Sequence, residues 1–212
     1  MPKQNRVTPA GEIIATPEHG TVMGNRGRLH DAGLEILRPF ALKRWIFCKL
    51  KFKERHRQVM APNQYTELFF LDEATALAAG HRPCAECNRP RYNLFRELWT
   101  RANPDLAPNG LPTADELDSV LHRERLTPDG QKATFQTRLS ELPDGAFARF
   151  PGETTPYLVL GETLLAWTPA GYQKPIPRPV QATVEVLTPA STVRTIAAGF
   201  QPYLAILPAI LS

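Results

Sequence analysis

Two of the chain's three cysteines lie in one short stretch, Gly80-His81-Arg82-Pro83-Cys84-Ala85-Glu86-Cys87-Asn88-Arg89-Pro90. The Cys-x-x-Cys spacing in a proline-containing turn brings two sulfur atoms within reach of one tetrahedral ion, which is half of a typical structural zinc site. Three cysteines are too few, and their number is odd, for a disulfide-stabilised secreted domain. The stretch therefore predicts a metal site in a protein of the reducing cytoplasm.

The other ligands of this site must come from elsewhere in the chain, because a closed structural zinc site has four. Cys48 is the third sulfur, and a histidine is expected as the fourth ligand. His30 is favoured, since it ends a predicted strand and is followed by Asp31, which can orient its ring. His56, inside an arginine-flanked segment, is the alternative. The sequence thus predicts one structural Zn²⁺ held by three cysteines and one histidine.

Helices are predicted on both sides of the Cys-x-x-Cys turn. Asp72 is a suitable N-cap for a helix over residues 73–79, and Gly80 suits the left-handed position that follows a helix. Pro90 favours the first turn of a second helix. This second helix carries an apolar stripe at helical spacing, expected to pack in the core: Tyr92, Phe95, Leu98, Trp99 and Ala102.

A half-buried strand is predicted over residues 44–53, upstream of the turn. Its second part alternates, with Cys48 and apolar residues on one face and three lysines on the other. The pattern places the cysteine toward the core and the lysines in solvent. Shorter strands are predicted over residues 12–16, 21–23 and 66–71.

Positive charge is concentrated in the first half of the chain. Residues 1–112 hold 17 Lys or Arg against 11 Asp or Glu, a net charge of +6, whereas residues 113–212 hold 8 against 10, a net charge of −2. A local excess of this kind suits a polyanion such as a nucleic acid, although a solvated face that aids solubility explains it equally well. The residues expected to contact phosphate groups are Arg26, Arg28, Lys49, Lys51, Lys53, Arg55 and Arg57.

The composition changes at residues 103–112, where three prolines and a glycine predict a linker. Residues 1–102 are expected to form a small zinc-stabilised α/β domain.

After the linker, Thr113 and Glu116 form a capping-box pattern that opens a helix. Residues 113–212 are expected to form a β-rich domain of unknown role, so that the fold class is α+β. Its strands are predicted at residues 146–150, 157–160, 163–167 and 182–187, with a short helix at 191–199.

Two motifs around the cysteines are shared with a known family. They are Ile46-Phe47-Cys48 and, at the end of an alanine-rich helix, Ala78-Ala79-Gly80-His81-Arg82-Pro83-Cys84-Ala85-Glu86-Cys87. Over residues 44–90 the chain resembles the zinc-binding domain of Ada-type DNA alkylation-repair proteins. That family has a second cysteine four residues after the position of Cys48, where this chain has Phe52. The resemblance implies zinc and association with DNA, without carrying over the family's methyl transfer intact.

Other classes of function stay open. A repair or processing enzyme would use Cys48 as a methyl acceptor, or Asp115 and Glu116 to bind a metal for nuclease chemistry, although a solvated helix face also explains these carboxylates. An interaction protein would bind an acidic partner through the basic strand. The common nucleotide-binding and hydrolase motifs are missing from the sequence. No apolar run reaches the roughly 18 residues that a membrane span needs, so a cytoplasmic protein without membrane association is expected.

Overall fold

A computed structural model describes residues 1–53 and 58–206 of the chain. Over these two ranges the chain forms two β-sheets and four α-helices, which confirms the α+β class. The elements of the first half are β1 (Gln4–Val7), β2 (Ile13–Ala15), β3 (Val22–Asn25), β4 (Ile46–Cys48), β5 (Leu68–Phe70), α1 (Glu73–Ala78), β6 (Arg82–Pro83) and α2 (Arg89–Ala102). Those of the second half are α3 (Ala114–Arg125), β7 (Phe135–Arg138), β8 (Phe147–Arg149), β9 (Tyr157–Leu160), β10 (Thr163–Thr168), β11 (Gly171–Tyr172), β12 (Ile176–Pro177), β13 (Thr183–Val186) and α4 (Ala190–Ala197).

The first sheet has the strand order β2-β1-β5-β3-β4-β6. Strand β3 is antiparallel to both of its neighbours, β5 and β4, whereas β4 and β6 are parallel. Because successive side chains of a strand point to opposite faces, Val22 lies in the buried core while Met23 and Asn25 face the other way and stay half-buried. We call these two sides the inner face and the outer face of the first sheet.

Helix α2 belongs to the same core as the inner face. Pro90 lies in its first turn, as the sequence predicts. Phe95 and Trp99 are fully buried among the strands' apolar side chains, which confirms that the aromatic stripe is core. Truncating a buried aromatic side chain of this kind to alanine typically costs about 3–5 kcal/mol, so this helix is a major source of stability.

The second sheet has the order β11-β10-β9-β8-β13-β7, and β12 also pairs with β10. The pairs along this path are antiparallel. The strands and the short helix expected from sequence in this half are present as β8, β9, β10, β13 and α4. The Thr113–Glu116 capping box also forms, with both of its hydrogen bonds, at the start of α3.

The two halves share their hydrophobic cores. Leu117 and Leu121 of α3 pack in the same buried cluster as Trp99 of α2, and Phe200 near the end of the described chain joins them. In a second cluster, residues around α1 pack with strands of the second sheet. Residues 103–112 therefore join two helices of one core, and the linker predicted there does not separate two independent cores.

Strand β4 is shorter than the sequence suggests. It ends at Cys48, and Lys53 adopts a positive φ of 51°, which an extended strand does not contain. The residues after Cys48 therefore form a loop rather than the alternating strand expected there. We call residues 49–53 the basic loop.

The helices of the described ranges are all short of a bilayer's thickness or too polar to cross it.

Candidate metal centre

Strand register brings the first two cysteines together. Cys48 is the last residue of β4, and Cys84 directly follows β6, the parallel neighbour of β4. The backbone N–H of Cys84 donates to the carbonyl of Phe47 at 2.9 Å, which continues the pairing of the two strands up to the cysteines. The position of Cys84 beside Cys48 is thus a consequence of sheet formation.

The turn after Cys84 adds the third sulfur. The backbone N–H of Glu86 donates to Sγ of Cys84, and the N–H of Lys49 donates to Sγ of Cys87, each at 3.4 Å. Backbone donors aimed at sulfur favour the thiolate over the thiol, since they stabilise negative charge. The second bond also ties the start of the basic loop to the Cys-x-x-Cys turn.

The stretch before the turn is held by a buried ion pair. Arg82 donates from Nε and Nη2 to the two carboxylate oxygens of Asp118 in α3, at 2.8 and 2.7 Å. Both side chains are 2% exposed. This bidentate pair fixes α3 against β6, two residues before Cys84.

The three sulfur atoms fit a single metal ion. Those of Cys48, Cys84 and Cys87 all lie within 4.8 Å of one another. Two thiolates bound to one zinc ion at about 2.3 Å in tetrahedral geometry are separated by about 3.8 Å, so small side-chain rotations suffice for coordination. Among the described residues, this is the group of three or more metal-ligating side chains that meets such a spacing.

Hydrogen bonding among the three cysteines favours the thiolate at Cys84, whereas the pKa values of Cys48 and Cys87 are raised. Hydrogen bonds from Cys48 and Cys87 lower the pKa of Cys84 to about 2. The pKa of Cys48 is raised, chiefly by its hydrogen bond with Cys84 and, to a smaller extent, by its interaction with Cys87 and by burial. A divalent cation would favour the deprotonated form of all three, because the thiolate is the form of cysteine that binds metal.

The structure does not bring His30 to this cluster. Its ring is buried, with Nδ1 2.6 Å from Oγ1 of Thr66 and Nε2 3.3 Å from the carbonyl oxygen of Ala61. Both ring nitrogens thus meet partners on the segment that leads to β5, and the expected fourth ligand is corrected to a structural histidine. The alternative, His56, lies outside the described residues, as do Arg55 and Arg57.

Arg26 is likewise a structural residue rather than a phosphate ligand. It is 1% exposed, its Nε donates to Nε2 of His81 at 3.1 Å, and its Nη1 donates to the carbonyl of Gly11 at 3.0 Å. Its guanidinium carbon lies 3.9 Å from the ring centroid of Trp45, and that of Arg125 lies 4.1 Å from the same ring. We call Arg26, Arg82, Arg125, Trp45 and His81 the arginine cluster.

The remaining basic residues expected at the surface are exposed. They are Arg28, Lys49, Lys51 and Lys53. Three of the four lie in the basic loop and begin directly after a cysteine of the cluster. Arg28 lies near His30 and donates to Oδ1 of Asn63 at 3.2 Å.

Asp115 of α3 is exposed, and the other three carboxylates of this helix have structural partners. Glu116 accepts hydrogen bonds from Thr113 in the capping box, and Glu124 accepts from the hydroxyl of Ser191. Asp118 is the buried partner of Arg82. The helix thus gives no support to the nuclease interpretation of its acidic face.

The sulfur cluster forms one end of a cleft on the outer face of the first sheet. The volume of this cleft is about 410 Å³. Its lining residues are Met23, Asn25, Ile46, Cys48, Lys49, Leu50, Phe52, Val59, Tyr65, Glu67, Phe69, Cys84, Glu86 and Cys87. The sequence analysis did not predict this cleft. The alternation of Glu67 and Phe69 with the buried Leu68 could have indicated that Glu67 and Phe69 share the outer face of the sheet.

In comparisons with known proteins, no family model, curated protein or solved structure matches the chain.

Proposed function

We propose that this protein binds one structural zinc ion through Cys48, Cys84 and Cys87 and binds DNA through the basic loop. The observation that carries the proposal is the position of the loop. Its first residue follows Cys48 in the chain and is hydrogen-bonded through its N–H to Sγ of Cys87. An ion held by these sulfurs would anchor the loop at its base, so that metal and basic surface form one unit.

Zinc is supported by the chemistry of the donor set. Three thiolates in reducing surroundings suit a borderline-soft ion, whereas Mg²⁺ and Ca²⁺ require oxygen ligands. Zinc sites in small domains contribute folding free energy of about 10 kcal/mol or more, which is comparable to the whole stability of a domain. The ion would therefore stabilise the turn, β4 and β6 together.

DNA is supported by the exposed lysines and by the resemblance of residues 44–90 to the Ada-type domain. The side chain of Phe52, in the place of that family's second cysteine, lines the cleft and is half-buried. Three thiolates carry less negative charge than four, so the sulfurs are poorer nucleophiles. This supports a binding role over methyl acceptance.

The test is a fluorescence-anisotropy titration of a labelled DNA duplex over a range of salt concentrations. Each lysine that contacts a phosphate should contribute about one unit to the slope of log K against log[salt]. We therefore expect the triple variant Lys49→Ala, Lys51→Ala, Lys53→Ala to bind more weakly and to lose about two to three units of that slope.

A second triple variant controls for net charge. It removes three exposed basic residues of the second half: Arg123→Ala, Arg138→Ala and Lys174→Ala. We expect it to keep most of the wild-type affinity and slope. Equal behaviour of the two triple variants, or wild-type binding that does not depend on salt, would contradict the proposal.

A further inference from the structure

The floor of the cleft is an apolar row that crosses three strands. In the strand register Met23 of β3 pairs with Cys48 of β4 on one side and with Phe69 of β5 on the other. Ile46 lies one position along, paired with Asn25. These outward side chains remain half-buried, in contrast to the fully buried residues of the inner face. The row offers a flat apolar surface next to the sulfur cluster.

A buried carboxylate lies in the wall of the same cleft. Glu67 is 4% exposed, and its Oε2 accepts a hydrogen bond from the backbone N–H of Met60 at 2.7 Å. The carboxylate of a glutamate can accept about four hydrogen bonds, and among the described residues this N–H is the donor that Glu67 meets. A buried carboxylate with so few donors is costly unless further donors reach it. The cleft is the side from which a ligand's donors can come.

We propose that the cleft binds an unpaired nucleobase that carries an exocyclic amino group, with its ring on the Met23–Phe69 row and its amino edge at Glu67. This inference rests on the proposed DNA binding and names what the cleft contributes to it. A volume of about 410 Å³ lies within the range of roughly 300–1,000 Å³ typical of small-ligand sites. Base stacking on apolar and aromatic side chains is a general mode of single-strand recognition.

The charges around the cleft agree with this occupant. Lys49 lies at the rim, where it can meet the phosphate of the bound nucleotide, while the buried Glu67 disfavours an anion inside. A purely apolar ligand would bring the buried carboxylate no donor beyond the N–H of Met60. A base satisfies both requirements, because it combines a planar ring with N–H groups at one edge.

Guanine fits the carboxylate best. Its Watson–Crick edge presents two adjacent N–H donors, which can bind the two oxygens of one carboxylate. Cytosine presents one amino group at the same edge. Thymine presents a single N–H between two carbonyl oxygens, which would face the carboxylate unfavourably. The expected order of affinity is guanine, then cytosine, then thymine.

The experiment uses the zinc-loaded full chain and four labelled single strands. All consist of abasic sugar–phosphate units, and three of them carry one central guanine, cytosine or thymine. We expect the guanine strand to bind about tenfold more tightly than the thymine or fully abasic strand. Glu67→Gln, which keeps the side-chain shape and an acceptor for Met60, should remove most of this preference, so that the guanine and abasic strands bind the variant with similar affinity.

Two further variants make the result specific. Glu97→Gln changes the same charge at an exposed position of α2 and should keep the guanine preference. Leu50→Ala shortens a cleft residue that is 51% exposed, so the fold is spared, and should weaken strands with a base more than the abasic strand.

The outcomes separate this inference from the proposed function. Equal, salt-dependent binding of the guanine and abasic strands overturns the base site and leaves DNA binding through the basic loop standing. A guanine preference that persists in Glu67→Gln overturns the role of Glu67. Failure of all four strands to bind at low salt overturns both proposals.

Discussion

The basic loop and the arginine cluster carry charge of the same sign in opposite environments. The three lysines of the loop are exposed, whereas Arg26, Arg82 and Arg125 are almost fully buried. The lysines can exchange water for phosphate with little effect on folding. The arginines are held by carbonyl groups, by Trp45 and by one carboxylate, and their loss would disturb the core. The charge count along the sequence does not distinguish the two groups.

Burial changes the acid–base properties of the cluster as well. Desolvation, followed by repulsion from Arg125, lowers the pKa of Arg26 well below its usual value. Desolvation also lowers the pKa of Arg125 to about 9, and Asp118 opposes this effect. In the part of the chain that the structure describes, the cluster thus sets three buried guanidinium groups against one buried carboxylate, that of Asp118. The stability of the fold is therefore expected to depend strongly on each member of the cluster.

The largest expected effect is that of breaking the ion pair inside the cluster. Arg82→Ala leaves the carboxylate of Asp118 buried without its partner, so the free energy of unfolding should fall by about 3–5 kcal/mol. Urea unfolding followed by circular dichroism measures this change. Replacing both partners with Arg82→Met and Asp118→Leu should recover most of the loss, because no charge is then stranded. A loss below about 1 kcal/mol in the single variant would contradict a structural role for the pair.

The next effect is a dependence of stability on pH that arises from His81. Burial, and then the charges of Arg26, Arg125 and Lys132, lower the pKa of His81 well below 6.5. The folded protein thus keeps the ring neutral while the unfolded chain takes up a proton, so this contribution is present above about pH 6.5 and is lost as the pH falls. The loss amounts to about 1.4 kcal/mol per pH unit.

The measurement for His81 compares unfolding free energies of the wild type and His81→Gln at pH 7.5, 6.0 and 5.0. The glutamine keeps an acceptor for Nε of Arg26 but does not titrate. We expect the difference between the two proteins to shrink as the pH falls, since the wild type alone bears the cost of a neutral histidine. A difference that is constant with pH would show that His81 titrates equally in both states.

The smallest effect on stability is expected at the basic loop. The triple variant Lys49→Ala, Lys51→Ala, Lys53→Ala should change the free energy of unfolding by no more than about 0.5 kcal/mol per site, because exposed side chains contribute little. The same variant is expected to lose DNA affinity. Measurements of DNA affinity and of unfolding free energy should therefore distinguish the basic loop from the arginine cluster. Destabilisation as large as that of Arg82→Ala would show that the loop is part of the fold.

Local patterns predicted much of this structure. Asp72 does cap α1, with its carboxylate accepting from the N–H of Thr75, and Gly80 has the positive φ expected after that helix. The capping box of α3 and the start of α2 near Pro90 are also as predicted. Caps and turn residues act within a few positions along the chain, so the sequence carries this information directly.

Features that depend on distant partners could not be predicted in this way. The buried His30 forms a hydrogen bond with the hydroxyl of Thr66. The buried Arg26 donates to His81 and packs on the ring of Trp45. None of these three partners is near in sequence. β4 ends at Cys48 although the alternation of residues continues beyond it, because the N–H of Lys49 donates to Sγ of Cys87 rather than to a neighbouring strand. The sequence predicted that Cys48 joins the two sulfurs of the Cys-x-x-Cys motif, and the pairing of β4 with β6 is what brings Cys48 beside Cys84.

The central claim is that the three cysteines hold one zinc ion. The most direct measurement is elemental analysis of the purified, folded protein, with Cys84→Ser as the matched variant. We expect one zinc per chain in the wild type, loss of zinc in Cys84→Ser, and a lower melting temperature of the wild type in the presence of a chelator. A folded wild-type protein that contains no metal, and whose melting a chelator leaves unchanged, would contradict the account.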